Sequence, residues 1–134
     1  MKTALIKSCA GALLLWTLSG LCAAGDIYVI ANPGVKLGAG DVRDVFLGDK
    51  QFIDSLKLAP VDNSAAQADF LAKVIKMKAG KYSTAWTKKA FRDGISAPAV
   101  KSGDAEVVEF VKRTPGGVGY VSVSPSGVNV VGKF

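Results

Sequence analysis

The chain has 134 residues, of which 17 are lysine or arginine, 11 are aspartate or glutamate and none is histidine. The absence of histidine excludes serine–histidine catalysis and histidine metal sites. The acidic residues are scattered and show no metal-loop or paired-carboxylate spacing. We therefore expect no enzymatic activity, no cofactor and no metal site, while the net charge of +6 favours anionic partners.

Residues 1–24 have the pattern of a cleavable signal peptide. Lys2 and Lys7 form a basic start, an apolar run follows, and small residues end the segment at Ala24. The apolar run is too short to span a bilayer, so we expect no membrane span in the mature chain. The pattern predicts export to the periplasm, with secretion or surface display as the alternative.

Cleavage after Ala24 would leave residues 25–134 as a single domain, long enough for one compact core. Cys9 and Cys22 both lie in the removed segment, so the mature chain has no disulfide and no thiol ligand. Two lysines are removed as well, which lowers the net charge from +6 to +4.

The first half of this domain alternates strand and helix signals. Residues 26–31 are rich in β-branched and aromatic side chains and predict a strand, which the turn at residues 32–34 ends. Apolar residues at Val42, Val45 and Phe46 then predict a short helix that stops at Gly48. Residues 57–61 predict the second strand.

Two helices are predicted next. Residues 64–77 place apolar side chains on one face of a helix, with Lys73 and Lys76 on the other. A second helix closes at Gly94, and we expect Trp86 and Phe91 to lie in the core because of their spacing.

The remaining elements complete an α/β pattern. Residues 97–101 look irregular or extended, and residues 104–113 predict a helix with acidic residues at its start and basic residues at its end. Residues 118–123 and 128–131 predict two strands that pair antiparallel through the turn at residues 124–127. The fold class is therefore α/β, with a small mixed sheet flanked by helices.

The most specific chemistry lies where the second strand leads into a helix. Asp62, Asn63 and Ser64 form this connection, and the N–H groups of Ala65 and Ala66 follow at the predicted helix start. Backbone N–H groups at a helix start lack intrahelical partners and attract anions. We take these five residues as a candidate site for phosphate or a similar oxyanion.

A purely structural reading of the same residues stays open. Ser64 and Gln67 have the spacing of a capping box, in which the two side chains satisfy helix-terminal N–H groups without any ligand. Asp62 would then only shape the turn.

Four segments in order resemble the phosphate-binding proteins of bacterial ABC transporters, which have the type 2 periplasmic-binding-protein fold. The segments are residues 41–50, 58–70, 86–91 and 114–121. The similarity covers almost all of the mature chain but only one of the two lobes of a full family member. The resemblance implies a single periplasmic-binding-protein-like lobe, which cannot close on an ion from both sides.

The resemblance also implies roles for the candidate site. Aligned on Phe70, the chain keeps the family's aspartate and serine at Asp62 and Ser64. The positions that depart from the family are Pro60 for arginine, Asn63 and Ala65 for glycines, and Ala66 for threonine. An arginine would offer bidentate, charge-assisted bonds to phosphate, so its replacement implies weak binding.

These observations predict an exported, non-catalytic domain that binds phosphate or another oxyanion weakly, or has an accessory role in phosphate uptake or sensing. The alternative is a periplasmic or surface protein-interaction module that has lost ligand binding. Whether a protein partner or self-association completes the missing half of the cleft is a question that the sequence leaves open.

Basic residues between positions 73 and 92 raise two further alternatives, a nucleic-acid site and an acidic-lipid site. We favour a solvated helix face, and expect no nucleic-acid partner, because no aromatic side chain is interleaved for base stacking.

Overall fold

A computed structural model of the chain describes residues 25–134, so the predicted signal segment lies outside the described residues. The strands are β1 (Tyr28–Ala31), β2 (Phe52–Ile53), β3 (Leu56–Lys57), β4 (Ala59–Asn63), β5 (Ala99–Lys101), β6 (Gly117–Val121) and β7 (Asn129–Lys133). The α-helices are α1 (Val42–Phe46), α2 (Gln67–Phe70), α3 (Ala79–Asp93) and α4 (Asp104–Arg113). A 3₁₀ turn (Ala39–Asp41) precedes α1, and a π-helical turn (Leu71–Ile75) follows α2.

Five strands form one mixed sheet in the order β5-β4-β6-β1-β7. Strand β4 pairs parallel with β5 and with β6, whereas β1 pairs antiparallel with β6 and with β7. Strands β2 and β3 form a separate small hairpin. The predicted α/β class with a small mixed sheet flanked by helices is confirmed.

The predicted pairing of the last two strands is wrong. Strand β1 lies between β6 and β7, with Ile30 opposite Gly119 on one side and Val130 on the other. The physical reason is burial: Val29 and Ile30 are both 0% exposed, so β1 is covered on both faces and takes an interior position in the sheet. The connection after β6 therefore crosses one strand instead of forming a hairpin.

Each face of the sheet has its own hydrophobic cluster, because side chains alternate along a strand. Val29 and Ala31 of β1 pack on the face covered by α1, the π-helical turn and α3. Ile30 packs on the opposite face, against Val107 and Val111 of α4. Helix α4 has the predicted bounds, residues 104–113.

The predicted helix over residues 64–77 is shorter and irregular. Helix α2 begins at Gln67, widens into a π-helical turn at Leu71 and ends at Lys76, which has the left-handed φ of 56°. Phe70, Leu71 and Ile75 are all buried. Core packing around these side chains replaces the regular helix that the apolar pattern favours.

Helix α3 ends at Gly94, as predicted, with a left-handed φ of 67°. Trp86 is buried and donates its indole N–H to the carbonyl of Phe46 at 3.1 Å. The predicted core position of Phe91 is wrong, since its side chain is 89% exposed. Five residues rotate a helix by about 140° from Trp86, which carries Phe91 to the solvent side.

Candidate functional site

Asp62 lies near the end of β4 and points into the face of the sheet that α3 covers. Asp62 is only 2% exposed. The hydroxyl of Tyr120 on β6 donates to Oδ1 at 2.8 Å, and the hydroxyl of Tyr82 on α3 donates to Oδ2 at 2.9 Å. The ring of Tyr120 stacks on Phe70 with centroids 3.8 Å apart, which fixes its hydroxyl. Asp62 therefore ties two strands and a helix together.

The pKa values of Asp62, Tyr82 and Tyr120 are all raised, mainly because these side chains are buried. Burial raises the pKa of Asp62 above its ordinary value of 3.8, while the hydrogen bonds from Tyr120 and Tyr82 act in the opposite direction. Burial and the nearby carboxylate also raise the pKa of both tyrosines, so the phenols stay protonated donors. Each carboxylate oxygen of Asp62 thus has a bound partner inside the protein.

Asn63 organises the loop that follows β4. Its side-chain oxygen accepts the N–H of Ala65 at 3.1 Å, and its backbone carbonyl accepts the N–H of Ala66 at 3.0 Å. Its amide nitrogen donates to Asp104 Oδ1 at 2.8 Å and to the carbonyl of Tyr120 at 3.0 Å. The N–H groups predicted to face an anion at Ala65 and Ala66 donate within the protein.

Ser64 is exposed at this loop. Its N–H donates to the carbonyl of Lys101 at 2.9 Å, and its hydroxyl donates to the carbonyl of Ser102 at 3.3 Å. The capping box predicted between Ser64 and Gln67 is wrong: Ala66 occupies the N-cap of α2 and no side chain caps the helix. The helix starts later than the pattern suggests because Asn63 already satisfies the N–H groups of the loop.

Pro60 lies inside β4, half-buried and opposite Val118 of β6. The strand begins at Ala59 and extends to Asn63, two residues beyond the predicted end at residue 61. Asp62 and Asn63 are therefore strand residues. Of the five predicted site residues, Ser64 alone combines an exposed side chain with a polar group.

The structure brings together three serines that follow the three parallel strands. Ser64 comes directly after β4, Ser102 after β5 and Ser122 after β6, and all three are exposed. The carboxyl ends of parallel strands in an open α/β sheet are the usual position of a ligand site. We call these three residues the serine edge.

Two carboxylates of α4 border the serine edge. Asp104 accepts the hydroxyl of Ser122 at 2.7 Å and its N–H at 3.0 Å. Glu106 accepts the hydroxyl of Ser102 at 2.7 Å, and the bonds from Ser102 lower the pKa of Glu106. Two of the three serine hydroxyls thus already donate to anions.

Ser102 and Ser122 are not among the predicted site residues, because the predicted strand ends differ from those of β5 and β6. Ser122 fell inside the predicted strand at residues 118–123, and β5 lay in a segment predicted as irregular or extended. A serine directly after each parallel strand is the signal that correct strand ends would have revealed.

A separate cleft of about 510 Å³ lies between α3 and β5. Apolar side chains such as Leu71, Trp86 and Val100 line most of it, and Asp62 is part of its lining. The cleft is suited to apolar contacts more than to an anion.

Within residues 25–134, no cluster of three or more potential metal-ligating side chains is present. The described helices are also too short or too polar for any of them to cross a bilayer. No protein-family model matches the chain, and the search of curated proteins finds no significant match.

Proposed function

We propose that this chain is an exported, non-catalytic binding domain that holds a small oxyanion such as phosphate weakly at the serine edge. The observation that carries the proposal is the side-by-side ending of three parallel strands, each followed by an exposed serine. The resemblance to one lobe of the phosphate-binding proteins supports the same ligand class and an accessory role in uptake or sensing.

Weak affinity follows from how the donors are already used. The backbone N–H groups of Ser64, Ala65 and Ala66 donate inside the protein. The hydroxyls of Ser102 and Ser122 donate to carboxylates. An oxyanion must compete for these donors beside two negative charges. We expect a dissociation constant of about 1 mM, which corresponds to about −4 kcal/mol.

Titration of the protein with phosphate, followed by backbone amide chemical shifts, tests the proposal. The expected result is a saturable shift at the serine edge that also appears with sulfate. The Ser64→Ala variant should lose most of the response while its melting temperature changes little, because Ser64 is exposed and caps no helix.

Ser55→Ala is the matched control, because Ser55 is an exposed serine in the hairpin between β2 and β3. This variant should bind phosphate as the unchanged protein does. Shifts that never saturate well above about 1 mM phosphate, or that are equal in both variants, would refute the serine edge as a site. That outcome would favour a protein-interaction module without a small ligand.

A further inference from the structure

Phe91 is the most exposed of the large apolar side chains in the described part of the chain, at 89%. It lies in the last turns of α3, one turn beyond Lys88. A single exposed apolar side chain needs no explanation by itself. Phe91 becomes informative because lysines share the outer face of α3 with it.

Four lysines share this side of the molecule: Lys76, Lys78, Lys81 and Lys88. Lys81 and Lys88 are seven residues apart, so they lie on one face of α3. None of the four forms an ion pair within residues 25–134. In contrast, Lys89 pairs with Asp49 and Arg92 pairs with Asp93. The four lysines thus form an unneutralised patch of positive charge.

The same lysines border two adjoining surface depressions of about 410 and 480 Å³, both of which Met77 lines. Lys76 and Lys78 border the first depression, and Lys81 and Lys88 border the second. Each of these partly apolar depressions is therefore bordered by two lysines. We call the four lysines and Phe91 the lysine face.

We propose that the lysine face docks on a membrane surface that contains anionic phospholipids. The lysines would lie over the headgroups while Phe91 enters the interface. Clusters of four or more basic residues are attracted to such a surface, and an amphipathic aromatic or apolar anchor strengthens the attachment.

The composition of the face favours lipid over other anionic partners. Protein interfaces are enriched in arginine and depleted in lysine, because the guanidinium fork fits carboxylates bidentately. Single-stranded nucleic acid is bound on several successive aromatic side chains, whereas this face offers Phe91 alone. Lysines spread along one side of α3, with one protruding phenyl ring near its end, suit a fluid array of headgroups.

Co-sedimentation with vesicles tests the inference. The protein should bind vesicles of phosphatidylglycerol mixed with phosphatidylcholine and show little binding to phosphatidylcholine alone. Binding should weaken as salt is added. The double variant Lys81→Glu/Lys88→Glu should lower the partition coefficient by at least about 25-fold, since each lysine contributes roughly fivefold. Phe91→Ala should lower it by about fivefold.

The control is Lys36→Glu/Lys57→Glu, which makes the same change in net charge at two exposed lysines. Lys57 lies in β3, and Lys36 lines a depression together with Ile53 and Leu56 of the hairpin. An equal loss in this control would overturn the proposal, because net charge alone would then explain binding. Equal binding to phosphatidylcholine vesicles, or tighter binding to single-stranded DNA than to anionic vesicles at the same salt, would also overturn it. The Ser64→Ala variant should bind vesicles normally, so this test is independent of oxyanion binding.

Discussion

Asp62 shows that an aspartate near the end of a strand can stabilise the fold through buried hydrogen bonds instead of binding a ligand. From the sequence it is an aspartate beside a helix start, a position suited to a turn or a ligand. The structure surrounds it with the hydroxyls of Tyr82 and Tyr120, which lie 20 and 58 residues away along the chain. These distant partners make Asp62 a structural centre, and no local pattern reveals them.

Replacing Asp62 with leucine should destabilise the fold strongly. The change removes both acceptors and leaves two buried phenol groups without partners, at about 1–3 kcal/mol each. We expect the free energy of unfolding to fall by about 2–5 kcal/mol in urea denaturation. Asp44→Leu, at an exposed position of α1, should change it by less than about 0.5 kcal/mol. A loss below about 1 kcal/mol in Asp62→Leu would show that the phenols find other partners.

Asp62 should also make stability depend on pH. Because its pKa is raised in the folded state, the folded protein holds the proton more tightly than the unfolded chain does. Its contribution to stability is therefore present at low pH and is lost as pH rises above 3.8. As the pH rises above 3.8, the free energy of unfolding of the unchanged protein, measured relative to that of Asp62→Asn, should fall. A rise instead would mean that the tyrosine hydrogen bonds outweigh burial.

The bounds of a helix are predictable from the sequence where both of its ends have clear chemical signals. Helix α4 has acidic residues in its first turn, basic residues in its last turn and Pro115 shortly after its end. The segment after β4 has a strong apolar pattern, but Asn63 holds its first residues in a loop. Periodicity alone cannot distinguish these two cases, because it does not include the hydrogen bonds of the loop.

The packing of α4 on the sheet leads to a prediction at Gly119. A Cβ atom at Gly119 would lie 2.5 Å from Val107 Cγ1 on α4 and 3.3 Å from Val61 Cγ2 on β4. Gly119→Ala should therefore lower the free energy of unfolding by about 1–3 kcal/mol through overpacking.

Gly80→Ala is the matched control for this change. Gly80 lies in α3 with nothing within 4 Å of its added Cβ, so alanine should stabilise the helix by up to about 1 kcal/mol. Chemical denaturation of both variants measures the two effects. Destabilisation by both substitutions, or by neither, would contradict the close contact between α4 and β6.

Strand β1 lies in the interior of the sheet, pairs with strands on both sides and is covered on both faces. Its amides should therefore exchange with solvent only through global unfolding. The edge strand β5, where Val100 is 60% exposed, should exchange through local opening. Native-state hydrogen exchange measures both rates, and equal protection of β1 and β5 would contradict this order of stability.

The α/β class, the bounds of α4 and the glycines that follow α1 and α3 are predictable from the sequence alone, because they depend on local periodicity and on residues within a few positions. The order of the strands, the partners of Asp62 and the serine edge come from the tertiary structure alone. Each of these depends on which distant segments meet when two faces of the sheet are buried at once. Local chemistry limits which helices and strands can form, and only their packing into one common core selects how they are arranged.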